Sequence, residues 1–200
     1  MNRLTFEFWF DFASTYSYLS VHRIEELARP HGIAIIWKPF LLGPIFKSQG
    51  WDTSPFNIYK VKGVYMWRDI ERCCDKYGIP FEMPSEFPRN GILAARVSVA
   101  FEDESWVTDF IKKVFESNFA HDIDISDESE IASVLDSLGQ DPQRVLSLAK
   151  SQENKDRLRH QTQAAIDKGL FGAPMFAIGN EIFWGNDRLE DAIKFYNLTR

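Results

Sequence analysis

Cysteine is nearly absent: the chain of 200 residues holds two, Cys73 and Cys74, side by side. Adjacent positions on a helix do not face each other, so no structural disulfide between them is expected, and no Cys-x-x-Cys redox pair exists. They read as small packing residues. Positive charge is also in deficit. The formal net charge is −6, and without a basic field the chain offers no general nucleic-acid or anionic-membrane surface. The longest apolar run, Ile92 to Phe101, is too short to span a bilayer. Signal-peptide and transit-peptide patterns are missing, since Glu7 and Asp11 arrive almost at once. These absences lead us to expect a reducing, cytoplasmic setting. His22, His31, His121 and His160 are scattered, so no metal set is expected. There is no phosphate loop, no dinucleotide glycine fingerprint and no Ser-His-Asp arrangement. A hydrolytic serine nucleophile is therefore not expected.

What is present is an ordinary globular composition, with 44% hydrophobic and 26% charged residues. The length suits one large domain or two small interleaved ones. Seventeen Phe and six Trp favour aromatic packing and an apolar pocket.

The chain is organised around Phe10-Asp11-Phe12-Ala13-Ser14-Thr15-Tyr16-Ser17-Tyr18-Leu19. Before it, Leu4, Phe6, Phe8 and Phe10 alternate with polar or partly polar neighbours, the period of a strand. After it, Leu19, Ile24, Leu27 and Ala28 recur at helical spacing. Ser14 to Ser17 thus sit where a strand turns into a helix. Open α/β sheets bind ligands there, and the helix N-terminus favours an anion or a thiolate. Ser14 or Ser17 as a simple N-cap accounts for the same residues.

The first helix is predicted to stop near His31-Gly32 and to lead into a buried strand, Ile33 to Phe40, parallel to the first. Leu41 to Pro44 closes that unit, and Ile45 to Pro55 reads as a turn-rich connection. Helical patterns follow over 57–77, 92–101 and 106–119, with Pro80, Pro84 and Pro88 enforcing an extended connector between the first two. Ser126 and Ser129 are N-cap candidates for a helix to Leu138, Asp141-Pro142 starts another, and a third ends at Gly169. Pro174 to Ile178 and Ile182 to Trp184 flank Gly179-Asn180, a hairpin signal, before a closing helix from Asn186.

Ser14-Thr15-Tyr16-Ser17 stands where DsbA-like thioredoxin folds carry Cys-Pro-Tyr-Cys, with serine for both cysteines. Together with Lys62 to Asp69 and Phe171 to Arg188, it resembles the 2-hydroxychromene-2-carboxylate isomerases and the kappa-class glutathione transferases. Thr15 replaces the usual proline. The resemblance implies an α/β, thioredoxin-like fold with an inserted all-helical domain: 1–43 and 164–200 form the thioredoxin-like part, 44–163 the insertion. It implies glutathione as cofactor, a small aromatic carboxylate as substrate, and a homodimer.

Residue by residue, the resemblance makes Ser14 the donor to the glutathione sulfur. Ala173 and a cis Pro174 would face the bound thiol peptide; the alternative is a plain turn before a strand. Asn186, Asp187 and Arg188 match the stretch that grips the γ-glutamyl end, with Asp187 on its ammonium; the alternative is a helix cap. Thr53 and Lys62 are weaker ligand contacts, because Thr53 stands in place of an asparagine. Trp51, Phe56, Tyr65 and Trp67 are expected to wall a flat substrate. A glutathione transferase or peroxidase, or a non-catalytic thiol-peptide binder, are the rival functions.

Overall fold

The computed structural model describes residues 4–199; the terminal residues 1–3 and 200 of the expected thioredoxin-like part lie outside them. Strand β1 (Phe6–Phe10) takes the centre because it presents apolar side chains to both faces, Glu7 being its one polar residue. Phe6, Phe8 and Phe10 enter one core, and Trp9 enters a second on the opposite face. Each fully buried aromatic contributes about 1.5–3 kcal/mol relative to exposure, so β1 anchors both layers.

Helix α1 (Thr15–Ala28) follows β1, and a short 3-10 turn carries it to Gly32, whose φ of 62° is the left-handed stop expected there. Strand β2 (Ile35–Pro39) then pairs parallel to β1, with Phe6 opposite Ile35 and Phe10 opposite Pro39. Strands β3 (Met175–Ile178) and β4 (Glu181–Trp184) form the C-terminal hairpin; β3 pairs antiparallel to β1, and β4 pairs antiparallel to β3. The sheet order is β2-β1-β3-β4. The start of β3 therefore lies at the same end of the sheet as the end of β1.

Between β2 and β3 the regular structure is helical. Helix α2 (Leu42–Ser48) corrects the expected turn-rich connection; its Ile45 docks in the Trp9 core, and this tertiary anchor overrides Gly43 and Pro44. The predicted helix over 57–77 divides into α3 (Pro55–Ile58) and α4 (Lys60–Tyr77), broken at Tyr59. Gly63 allows the two to cross closely, because a Cβ there would meet the Phe56 carbonyl. Helices α5 (Ile92–Ala100), α6 (Val107–Ala120), α7 (Glu128–Ser137), α8 (Pro142–Ala149) and α9 (Gln152–Asp167) complete the block. The N-cap of α7 is Asp127, not either expected serine; its carboxylate accepts from the Ser129 N–H at 2.8 Å, and Ser126 is bonded to Asp124 instead. A closing helix, α10 (Leu189–Thr199), is preceded by a 3-10 turn at Asn186–Arg188.

The helical block does not fold around a private core. Phe110, Phe115 and Phe119 of α6 join Phe8, Phe10, Phe12 and Tyr18 in one apolar cluster. Rings of Phe12 and Phe115 lie 5.0 Å apart, centroid to centroid. No helix among the described residues is long and apolar enough to cross a membrane.

Candidate active site

Three segments meet at the end of the sheet: the β1–α1 loop, the loop before β3, and the turn after β4. Ser14 is the N-cap of α1, with extended backbone (φ −86°, ψ 116°), and its Oγ accepts from the Ser17 N–H at 3.2 Å. The same hydroxyl donates to the Ala173 carbonyl at 3.0 Å. The capping reading and the ligand-site reading thus fall on one atom. Ser14 stands half-buried at the positive end of a 14-residue helix. Ser17 supplies no exposed hydroxyl; its Oγ is buried without a partner.

The peptide bond Ala173-Pro174 is cis, as the resemblance implies. The Pro174 carbonyl accepts from the Gly185 N–H at 3.0 Å, which ties this loop to the turn after β4. Trp184 packs over Gly172, where a Cβ would come within 2.5 Å of the indole nitrogen. Its ring also meets Phe171 edge-on at 4.9 Å, and both rings are exposed. Sequence reasoning missed this pair, although Phe171-Gly172 and Trp184-Gly185 each put an aromatic beside a glycine.

The turn Asn186–Arg188 divides its labour. Asn186 is 4% exposed, and its Oδ1 accepts from Arg23 Nη1 at 2.8 Å and from Ser20 Oγ at 3.2 Å. Arg23 also pairs with Glu190 and lies 3.8 Å over the Tyr77 ring. The Asn186 side chain therefore fixes the turn to α1 and does not present its oxygen outward. Asp187 is exposed, with Arg188 Nε 3.9 Å away, and Arg188 reaches Asp191 at 2.9 Å.

Helix α4 lies along the first turns of α1. Thr15 Oγ1 contacts Met66 Sδ at 3.3 Å, and Tyr16 Oη donates to Asp69 at 2.9 Å. Lys62, Met66, Asp69 and Cys73 share one face of α4 by their spacing. Burial, with the Asp69 hydrogen bond second, holds the Tyr16 phenol well above its usual range. Burial also pushes the Cys73 thiol up, helped by Asp69 and opposed by Lys76 and Arg23; Asp187 bears on it too. Lys62 is exposed, its Nζ 5.0 Å from the Tyr59 ring. Thr53 accepts from Asn57 Nδ2 at 3.1 Å and touches none of the other site residues through a hydrogen bond found among the described residues. Of the expected aromatic walls, Phe56 stands 6.4 Å from Tyr16 and Tyr65 lies exposed on the same side. Trp67 turns away to Phe81 and Phe87, and Trp51 packs on Phe46.

Asp11 lies beneath the loop and was not singled out by the sequence. Its two oxygens accept from the Ala13 and Leu42 N–H groups, both at 2.8 Å, joining the β1–α1 and β2–α2 loops. Burial raises its carboxyl above the ordinary 3.8, against those two hydrogen bonds. A carboxyl that holds its proton more tightly when folded stabilises fully below the unfolded pKa, and that stability is lost as pH rises through the folded value. The expected result is that Asp11→Asn, which cannot ionise, gains on the wild type as pH rises from about 4 to 7. Melting temperatures of both proteins across that range check it; a difference independent of pH would contradict it.

Against this geometry, the comparisons are consistent. A family model described as a DSBA-like thioredoxin domain matches residues 5–197. A 2-hydroxychromene-2-carboxylate isomerase of Sphingobium xenophagum is 30% identical over 189 residues, covering 93% of this chain and 94% of that one. A glutathione S-transferase kappa 2 of Caenorhabditis elegans is 28% identical over 208 residues, covering 97% and 92%. A solved structure of a 2-hydroxychromene-2-carboxylate isomerase superposes with a TM-score of 0.81 at 31% identity, covering 96% and 95%.

Proposed function

We propose, for a chain that belongs to the 2-hydroxychromene-2-carboxylate isomerase family of DsbA-like thioredoxin folds, that it is a glutathione-dependent enzyme interconverting 2-hydroxychromene-2-carboxylate and trans-o-hydroxybenzylidenepyruvate, a step in aromatic-compound degradation. One observation carries the reading: a serine hydroxyl at the N-terminus of α1 faces the carbonyl before Pro174, with no cysteine in the motif. A chain without its own thiol there needs a borrowed one.

When bound, glutathione supplies a thiolate that adds to the conjugated carbon of the ring-opened substrate. That chemistry would let the former carbon–carbon double bond rotate and re-form, with glutathione regenerated and not consumed. The residues of the chain bind, orient and stabilise charge. Ser14 donates to the sulfur, and its proton leaves the Ala173 carbonyl to do so. That carbonyl then accepts from the cysteinyl N–H of the tripeptide, so no acceptor is left unpaired. The α1 N-terminus adds a favourable field.

At the γ-glutamyl end, Asp187 receives the ammonium, while the backbone N–H groups of Asn186 and Asp187 and the Arg188 guanidinium receive the carboxylate. Asn186 acts through its backbone. Lys62 meets a carboxylate of the tripeptide or substrate, with Thr53 at the margin of the same pocket. The expected result of Asp187→Ala is a glutathione KM about 10-fold higher with kcat little changed, measured by saturation kinetics; an unchanged KM would remove Asp187 from the site.

We read 1–43 with 164–200 and 44–163 as the two units, α9 running across the second boundary. We place the enzyme in the cytoplasm, where Cys73 and Cys74, both free thiols, agree with a pool of reduced glutathione. Ile58, Tyr59, Val61 and Val64 form an exposed apolar stripe on α3 and α4, with Val61 at 85% exposure. That stripe is the surface we assign to a homodimer. Sedimentation should give twice the chain mass, and Val61→Glu with Val64→Glu should return the monomer; a monomeric parent would contradict this.

The test of the function itself is turnover of the chromene with glutathione while total free thiol is followed. Isomer formation without thiol loss is expected. Stoichiometric thiol loss would instead mark a transferase or peroxidase, and binding without turnover a non-catalytic module.

A further inference from the structure

The β1–α1 loop is fixed from several sides. Asp11 holds it from below, and the Phe12 side chain is 1% exposed, filling the space that Gly91 leaves open: a Cβ at Gly91 would lie 2.5 Å from Phe12 Cβ. A further tie comes from α6. Asn118 is 1% exposed, and its Nδ2 donates to the Phe12 carbonyl at 3.1 Å, two residues before Ser14.

The orientation of that amide is set by its neighbours. Arg89 Nη1 donates to Asn118 Oδ1 at 3.3 Å and to its carbonyl at 3.4 Å. A guanidinium only donates and a carbonyl only accepts, so just one way round satisfies both ends of the amide. Arg89 is itself held by Asp122, by the Ile123 carbonyl at 3.0 Å and by Ser85 Oγ at 3.2 Å. A rigid polar strut therefore runs from the connector before α5 and the end of α6 to the loop that presents Ser14.

We propose that Asn118 is a positioning residue for Ser14, acting through the Phe12 carbonyl. This rests on the role given to Ser14 above. Loss of the Asn118 donor leaves the Phe12 carbonyl buried without a partner among the described residues, and the Phe12-Ala13 peptide is then held only by the Ala13 N–H bond to Asp11, about which it can tilt. The Ser14 hydroxyl, one turn of backbone further on, then loses its aim at the sulfur. A displacement of about an ångström at a reacting group costs up to roughly 100-fold in rate.

The experiment is a double-mutant cycle on isomerase kinetics. Asn118→Asp keeps the shape and the Arg89 contact but removes the donor; Asn118→Ala is the second variant. Each is made with Ser14 intact and with Ser14→Ala, and melting temperatures are recorded for all. With Ser14 present, Asn118→Asp is expected to lower kcat about 10-fold to 100-fold with glutathione KM within about twofold. With Ser14→Ala, the same change should cost nothing further, because the aimed group is gone. Equal losses in both backgrounds would reduce Asn118 to a structural role and overturn the proposal, as would kcat within about twofold of wild type. Wild-type rates in the Ser14→Ala protein alone would instead overturn the role of Ser14 itself, and that result is separately visible.

Discussion

Ser14→Ala is expected to lower kcat about 100-fold to 1,000-fold, the loss typical when one donor to a developing anion is removed. Fold should survive. The variant gives up one N-cap, about 1 kcal/mol, because Ser14 Oγ also accepts from the Ser17 N–H. Glutathione should still bind, since the Ala173 carbonyl and the Asn186–Arg188 turn remain. The freed Ala173 carbonyl even becomes available to the tripeptide, so binding should weaken little. Steady-state kinetics with binding measured by calorimetry separate these effects. A parallel loss of binding and rate would mean that Ser14 anchors the cofactor without activating it.

Phe12→Ala is expected to carry the largest stability cost in the site region, about 3–5 kcal/mol. Phe12 is 1% exposed and packs against Phe10 at 5.5 Å and Phe115 at 5.0 Å, so truncation opens a cavity between sheet and helical block. Gly91 lacks the atoms to close it. Such a loss is a large part of the 5–15 kcal/mol that holds a domain together. Denaturant unfolding with unchanged slope would measure it. A cost under about 1 kcal/mol would mean that the interface relaxes, and that the two layers do not share one core.

Much of this was legible in the chain. Alternation at Phe6, Phe8 and Phe10, the serine where strand becomes helix, Gly32 as a stop and Gly179-Asn180 as a hairpin turn each act through neighbours in sequence, and each appears where local chemistry put it. The misses share the opposite property. Helix α2 exists because Ile45 docks on a distant face, and Asn186 is buried because Arg23 reaches it across 163 positions. Trp67 leaves the site for Phe81 and Phe87 because its place on α4 is one residue off the Met66–Asp69 face. Asn118, also missed, sits behind Glu116 and Ser117 and stands out from nothing, but Asp11 is a polar residue within the apolar run from Phe8 to Ala13. That is a signal the sequence does carry, since a buried polar side chain must find partners.

Every functional statement depends on Ser14 stabilising a thiolate that glutathione brings. The direct measurement is ultraviolet titration of the thiolate of bound glutathione in the wild type and in Ser14→Ala. In the wild type the bound thiol should ionise well below the free thiol, and in the variant that shift should shrink by about one to two pKa units, the worth of one charge-assisted hydrogen bond. Equal ionisation in the two proteins, or no shift from free glutathione in the wild type, would contradict it.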